Sequence, residues 1–261
     1  MNKMRKQWRS KASRFLCAQT GLESPAEAIR SIARSLLDDP ISIPTNLESV
    51  ARRLNVAKVL EEPLPFDGVL MRNKNGLTIK VNSLAHARRR RFTLAHELAH
   101  ALLTNESKSS RRRSFNGSEV ERLCDIAASE LLMPEGPTRL FFEIDGVSPD
   151  TVCMFATSFE VSMQAAARRV VDLKLTNGTL LLLKRASGGN FSQLWRTGPL
   201  RLESPVFLPQ LEGNSLPANF TGERIRVCKL GSGTIEVDIQ ARRLGASESS
   251  LVLVSPSVRL A

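Results

Sequence analysis

The 261-residue sequence has no tyrosine, only three histidines and four cysteines. Without tyrosine, any chemistry that calls on a phenolic hydroxyl must use another donor. Cys17, Cys124, Cys153 and Cys228 are far apart and form no C-x-x-C pair. That spacing argues against a disulfide framework, so the four read as free thiols of a reducing cytoplasm. No apolar run reaches the roughly 18 residues that a membrane span requires, so no membrane is expected as a partner. The N-terminus is basic but has no uninterrupted apolar core, so no signal peptide is expected either. Acidic residues are outnumbered: 26 Asp and Glu stand against 37 Lys and Arg, a net charge of +11. Such a balance favours encounter with acidic partners or nucleic acid, and says nothing about fold.

Two of the three histidines stand together in residues 91–103, RFTLAHELAHALL. His96-Glu97-Leu98-Ala99-His100 is an H-E-x-x-H sequence inside an apolar segment. Residues four apart on an α-helix share a face, offset by about 40° at 3.6 residues per turn. Both imidazoles can therefore reach one metal ion. Glu97 sits beside the first of them, where its carboxylate can take a proton from a water. Phe92, Leu94, Ala95, Leu98, Leu102 and Leu103 supply an apolar surround, as in a buried helix. A core helix with two satisfied histidines would explain the pair but not the accompanying Glu.

A catalytic zinc site needs three protein ligands and an open fourth position. Residues 119–134, EVERLCDIAASELLMP, repeat Leu123, Ile126, Ala127, Leu131 and Leu132 at helical spacing and end at Pro134. The acids of this helix are Glu119, Glu121, Asp125 and Glu130. Glu121 and Asp125 are four apart and share a face, and this arrangement resembles the thermolysin-like zincins. The resemblance implies Glu121 as the third ligand and Asp125 as the carboxylate that orients a ligand histidine. A carboxylate on the distal N–H fixes the tautomer of such a ring and raises its basicity. Glu119 and Glu130 read as acids that only solvate an exposed face.

The run Arg91-Phe92-Thr93-Leu94-Ala95-His96-Glu97-Leu98-Ala99-His100, followed by a helix that begins with Glu and ends Leu131-Leu132-Met133-Pro134, resembles the ImmA/IrrE metallopeptidases. The resemblance is specific over residues 45–135, weaker to residue 173 and absent beyond. It implies a cytoplasmic protease of bacteria or mobile elements that carries one zinc ion and cleaves a DNA-binding helix-turn-helix repressor. Cys124 stands where many members have a small residue such as Ala.

Taken in order, residues 1–22 are a basic arm, mobile or partly helical. Ser24-Pro25-Ala26-Glu27 and Thr45-Asn46-Leu47-Glu48 are capping boxes that open two helices, with Asn55 as a stop. Residues 56–60 and 67–82 read as strands, the second run folded at Asn73-Lys74-Asn75-Gly76 into a hairpin. An edge strand beside the H-E-x-x-H helix could pair with extended substrate. The overall expectation is an α+β chain: a zincin-like metallopeptidase domain over residues 23–145, then a helix-turn-helix-like hairpin over 146–175. In that hairpin Ala166, Val170 and Leu173 would face inward, and Gln164, Arg168 and Arg169 outward. A β-rich domain without any recognisable motif follows over 176–261.

Two basic runs flank the H-E-x-x-H helix: Arg88–Arg91, with His86 just before it, and residues 108–113, which hold Arg111, Arg112 and Arg113. With Arg168 and Arg169 they are candidates for contact with an acidic substrate or with nucleic acid. Two functions compete. In the first, a zinc endopeptidase, His96, His100 and Glu121 hold the metal and Glu97 is the base. Its oxyanion donor, in a chain without tyrosine, would be a His, an Arg, a backbone N–H or the metal itself. In the second, a DNA-binding regulator, the zinc is structural and the basic runs and helical hairpin do the work. An intact Glu97 favours the first, because a structural site has no use for a base.

Overall fold

The computed structural model describes residues 8, 10–106, 117–185, 191–199, 219–229, 233–244 and 249–256. It is a mixed α and β protein whose chain divides into two units, residues 1–138 with 158–162 and residues 139–157 with 163–261.

The first unit opens with α1 (Lys11–Thr20), capped where Ser10 Oγ accepts from the Ser13 amide and ended by Gly21 at φ 72°. Only glycine adopts that left-handed conformation without strain. Part of the expected arm is thus a helix, and its Ala12 and Leu16 are buried. Helix α2 (Pro25–Ser35) starts at the Ser24 cap read from the sequence. For α3 (Leu47–Arg53) the cap is Asn46 rather than Thr45: its side chain accepts from the Glu48 and Ser49 amides. Asn55, at φ 54°, ends that turn.

Three strands follow. β1 (Val56–Glu62) runs parallel to β3 (Gly76–Asn82), and β3 pairs antiparallel with β2 (Gly68–Asn73), giving the order β1-β3-β2. Leu77, Ile79 and Val81 of β3 are buried, as befits the central strand. β2 is therefore an edge. It lies against α4 (Ala87–Glu106), the helix of the H-E-x-x-H sequence. The close approach depends on Gly68: a Cβ there would meet Thr93 Cγ2 at 2.5 Å and the Lys80 carbonyl at 3.0 Å.

α4 packs on α5 (Ser118–Leu132), which in turn packs on α2. Small residues on both helices, Ala95 and Ala99 on α4 and Ala127 and Ala128 on α5, are wholly buried. Leu98, Leu102, Leu123 and Leu131 fill the space around them. Each such leucine contributes about 1.5–3 kcal/mol by its burial, so the helices that bear the site residues are held by a well-packed core.

The two acids read as solvating α5 instead tie it down. Glu119 accepts from the Ser10 amide at 2.7 Å and the Ser13 hydroxyl at 3.0 Å. Glu130 is wholly buried, accepts from the Glu135 amide at 3.1 Å and faces Arg34 at 3.6 Å. The sequence hides this because the partners come from α1, α2 and the turn after Met133, far away along the chain or around a corner.

Beyond α6 (Glu135–Asp145), the second unit contains α7 (Pro149–Ser158) and α8 (Met163–Asp172). Phe141 and Phe142 meet Phe155 with ring centroids 5.3 and 5.0 Å apart. Arg169 corrects the sequence reading. It is 1 % exposed and faces inward with Ala166 and Val170, whereas Arg168 is exposed. The helical period explains it: three residues on from Ala166 and four before Leu173, position 169 lies on the buried stripe. A five-stranded antiparallel sheet completes the unit, in the order β5-β4-β8-β7-β6, from β4 (Thr179–Arg185), β5 (Phe191–Thr197), β6 (Asn219–Lys229), β7 (Gly233–Arg243) and β8 (Ser249–Pro256). Its apolar centre is Leu180, Leu181 and Leu183 of β4 with residues 251–254 of β8.

Among the described residues no helix is long and apolar enough to cross a membrane.

Candidate metal centre

The site lies where α4, α5 and β2 converge. Gly68, Val69, Leu70, His96, Glu97, His100 and Glu121 line a cleft of about 390 Å³. One helical turn separates His96 from His100, and their ring centroids are 5.0 Å apart. α5 brings Glu121 to both: its Oε2 is 3.2 Å from His96 Nε2 and its Oε1 is 3.5 Å from His100 Nε2. Asp125, one turn further on, takes the far side of the first ring, with Oδ1 3.0 Å from His96 Nδ1.

These contacts carry a chemical constraint. A carboxylate can only accept hydrogen bonds. When His96 donates Nδ1–H to Asp125 as a neutral ring, its Nε2 is also an acceptor. Two acceptors then face each other across 3.2 Å. Only a proton or a cation between them resolves this, and a cation would satisfy Glu121, His96 and His100 at once. The residues present thus fit a metal ion.

The proton affinities of these side chains follow from the same arrangement. Burial opposes charge on His96, but the Asp125 hydrogen bond and charge, with Glu97 and Glu121, outweigh it, and the His96 pKa is raised. His100 is pushed the other way, by burial first and then by the His96 charge. A metal ion would compete with a proton at His96 more than at His100. Affinity should therefore fall as pH drops, and the fall should begin above the 6.5 of an ordinary imidazole. Competition against a chelator of known affinity, repeated across pH, reads this directly. A fall that begins only below that value would contradict the Asp125–His96 arrangement.

Burial raises the Glu97 pKa; the His96 charge and the Leu70 amide, which donates to its carboxylate, offset this in part. Glu97 is 8 % exposed, and the edge strand β2 supplies that amide. Asp125 meets the site at His96 Nδ1. Asp125→Ala should reduce metal affinity or activity by about 10–100-fold, the range for partners that orient a ligand histidine. An isothermal metal titration checks it, and a loss as large as that from removing His96 would make Asp125 a ligand.

The basic residues fare differently. His86 Nδ1 accepts from the Arg88 amide, so the third histidine caps the start of α4 and stays out of the cleft. Arg89 pairs with Asp67, Arg90 with Glu61 at 3.2 Å, and Arg91 donates to the Thr45 carbonyl at 2.6 Å. Three of the four consecutive arginines are thus engaged within the fold. Arg111, Arg112 and Arg113 lie outside the described residues. A feature that the sequence reading set aside also enters the site: the Cys124 sulfur, with His96 and His100, belongs to a group whose ligand atoms all lie within 4.8 Å of one another. Its position three residues after Glu121, on the same face, was the available signal.

Residues 51–171 match the family model described as the IrrE N-terminal-like domain of the Peptidase_M78 family. The chain carries an IrrE-like domain. It is 35 % identical over 94 residues to the radiation response metalloprotease IrrE of Deinococcus radiodurans, a match covering 34 % of this chain and 29 % of that protein. With the namesake from Deinococcus deserti it shares 40 % over 62 residues, covering 22 % of each. The chain thus spans less than a third of the curated relatives it matches. A solved Mycobacterium tuberculosis transcriptional regulator aligns over 94 % of this chain and 93 % of its own, at 14 % identity and a TM-score of 0.49, too slight a likeness to fix fold or function. The IrrE-like region contains α4 and α5, and with them His96, Glu97, His100, Glu121 and Asp125.

Proposed function

We propose that the protein is a zinc-dependent endopeptidase that acts in the cytoplasm and cleaves a DNA-binding helix-turn-helix repressor, relieving repression. The observation that carries this reading is the placement of Glu97 in an open cleft beside the two imidazoles that share Glu121. A site built only to hold a metal has no need of a carboxylate there. The relatives' name, a radiation response metalloprotease, supports both the chemistry and a role in a regulated response.

His96, His100 and Glu121 would hold one zinc ion, and Asp125 would keep the His96 ring in the tautomer that leaves Nε2 free. When bound, the ion acts as a Lewis acid towards a carbonyl and makes water a better nucleophile near neutral pH. Glu97 would take the proton of the attacking water and return it to the leaving amine. Its raised pKa brings it nearer to the working pH. The outer edge of β2 would bind an extended stretch of substrate by main-chain hydrogen bonds. Gly68 lets that edge lie close over the cleft.

The reading is tested by incubating the purified protein with candidate repressors, beginning with the product of the neighbouring gene. Cleavage should depend on added zinc, stop with a chelator and resume when zinc is restored. Cleavage that persists in excess chelator would remove the metal from the mechanism.

A further inference from the structure

Cys124 lies on α5, three residues after Glu121 and so on the same helix face. It is 0 % exposed. Its sulfur and one nitrogen each of His96 and His100 lie within 4.8 Å of one another. Around a tetrahedral zinc, with bonds of about 2.0–2.1 Å to nitrogen and 2.3 Å to sulfur, ligand atoms sit roughly 3.5 Å apart. A contraction of about 1.3 Å at most would bring the three onto one ion. Imidazole and thiolate together form a donor set that zinc and cobalt favour.

We propose that Cys124 is a further ligand of this metal, so that His96, His100, Glu121 and Cys124 can close its coordination sphere. The thiol loses its proton to solvent, a sulfur lone pair forms the bond to the ion, and a water leaves the position that sulfur takes. A catalytic site keeps that position open, whereas four protein ligands make a closed, structural kind of site. The closed arrangement is therefore a resting form, and loss of the sulfur ligand opens it. This second consequence rests on the peptidase reading; the sulfur ligation does not. Cys17 and Cys153, the other free cysteines among the described residues, belong to no such group.

The test uses the full chain loaded with one equivalent of Co2+ and reads its electronic spectrum. Sulfur ligation gives an intense sulfur-to-cobalt charge-transfer band in the near ultraviolet, beside the weaker visible bands of tetrahedral cobalt. The wild-type protein should show the band. Cys124→Ala should lose it while keeping the visible bands, and Cys17→Ala and Cys153→Ala should retain it. Cys124→Ser, closer in shape, repeats the comparison if the alanine variant does not fold. A cobalt-loaded wild-type protein without the band, or a band that survives in the Cys124 variants, overturns the proposal. Zinc-dependent cleavage by Cys124→Ala should be faster than by wild type, because one coordination position is freed; an equal or slower rate overturns the resting form. Cleavage without a sulfur band leaves the peptidase reading standing and this one fallen; the band in wild type with no cleavage by Cys124→Ala either does the reverse.

Discussion

Glu97→Gln should leave a folded protein that binds metal and substrate and barely cleaves. The amide keeps the shape of the carboxylate and can still meet the Leu70 amide through its oxygen, so the contact with β2 survives. It cannot accept the water's proton. The rate should fall by at least about 100-fold, the lower end of what a general base contributes, or about 2.7 kcal/mol of barrier. Metal content should not change, because on the proposed reading Glu97 is not one of the ligands. In the cell the variant should behave as a deletion, with the repressor substrate intact. If the protein were instead a DNA-binding regulator with a structural metal, the same change would leave its function nearly untouched. Cleavage rates with matched metal analysis decide between them, and wild-type activity in Glu97→Gln would sink the peptidase reading.

The second large effect concerns the ion itself. His96→Ala, His100→Ala and Glu121→Ala should each cut metal affinity far more than Asp125→Ala does. Glu121 is the sharpest case, because its two oxygens lie 3.2 and 3.5 Å from the two imidazole Nε2 atoms. Removing it should also free His96 from a nearby negative charge, so the proton that stands in for the metal is held less tightly. Glu119 is the comparison: it binds Ser10 and Ser13, away from the cleft. Glu119→Ala should weaken the docking of α1 without changing metal stoichiometry. Full occupancy in Glu121→Ala, with loss in Glu119→Ala, would move the third ligand.

How much of this could be read in the sequence depends on whether the signal was local. The H-E-x-x-H pair needed only helical spacing; spacing also put Glu121 and Asp125 on one face, while their expected roles came from the resemblance to the zincins. The caps at Ser24 and Asn55 and the hairpin at residues 73–76 are likewise properties of a few adjacent residues. Failures came where burial depends on distant partners. Glu130 looks like a surface acid until Arg34 and the Glu135 amide are seen against it. Arg169 looks like a surface base, although Ala166 and Val170 already placed it on the inner stripe of α8. The four consecutive arginines suggested a surface for an acidic substrate or a phosphate backbone. In the structure three of them meet Asp67, Glu61 and the Thr45 carbonyl, which approach from one strand and two loops. Cys124 was read as a tolerated replacement for a small residue, because sequence spacing alone gives no depth. Its distance to the histidines appears only once α5 is packed on α4.

The most direct measurement is the intact mass of a repressor after incubation with the zinc-loaded protein. Hydrolysis at one peptide bond should give two fragments whose masses sum to the substrate plus one water, and Glu97→Gln should give none. A repressor that stays whole with metal-loaded wild-type protein, while its DNA binding is nonetheless relieved, would contradict the account.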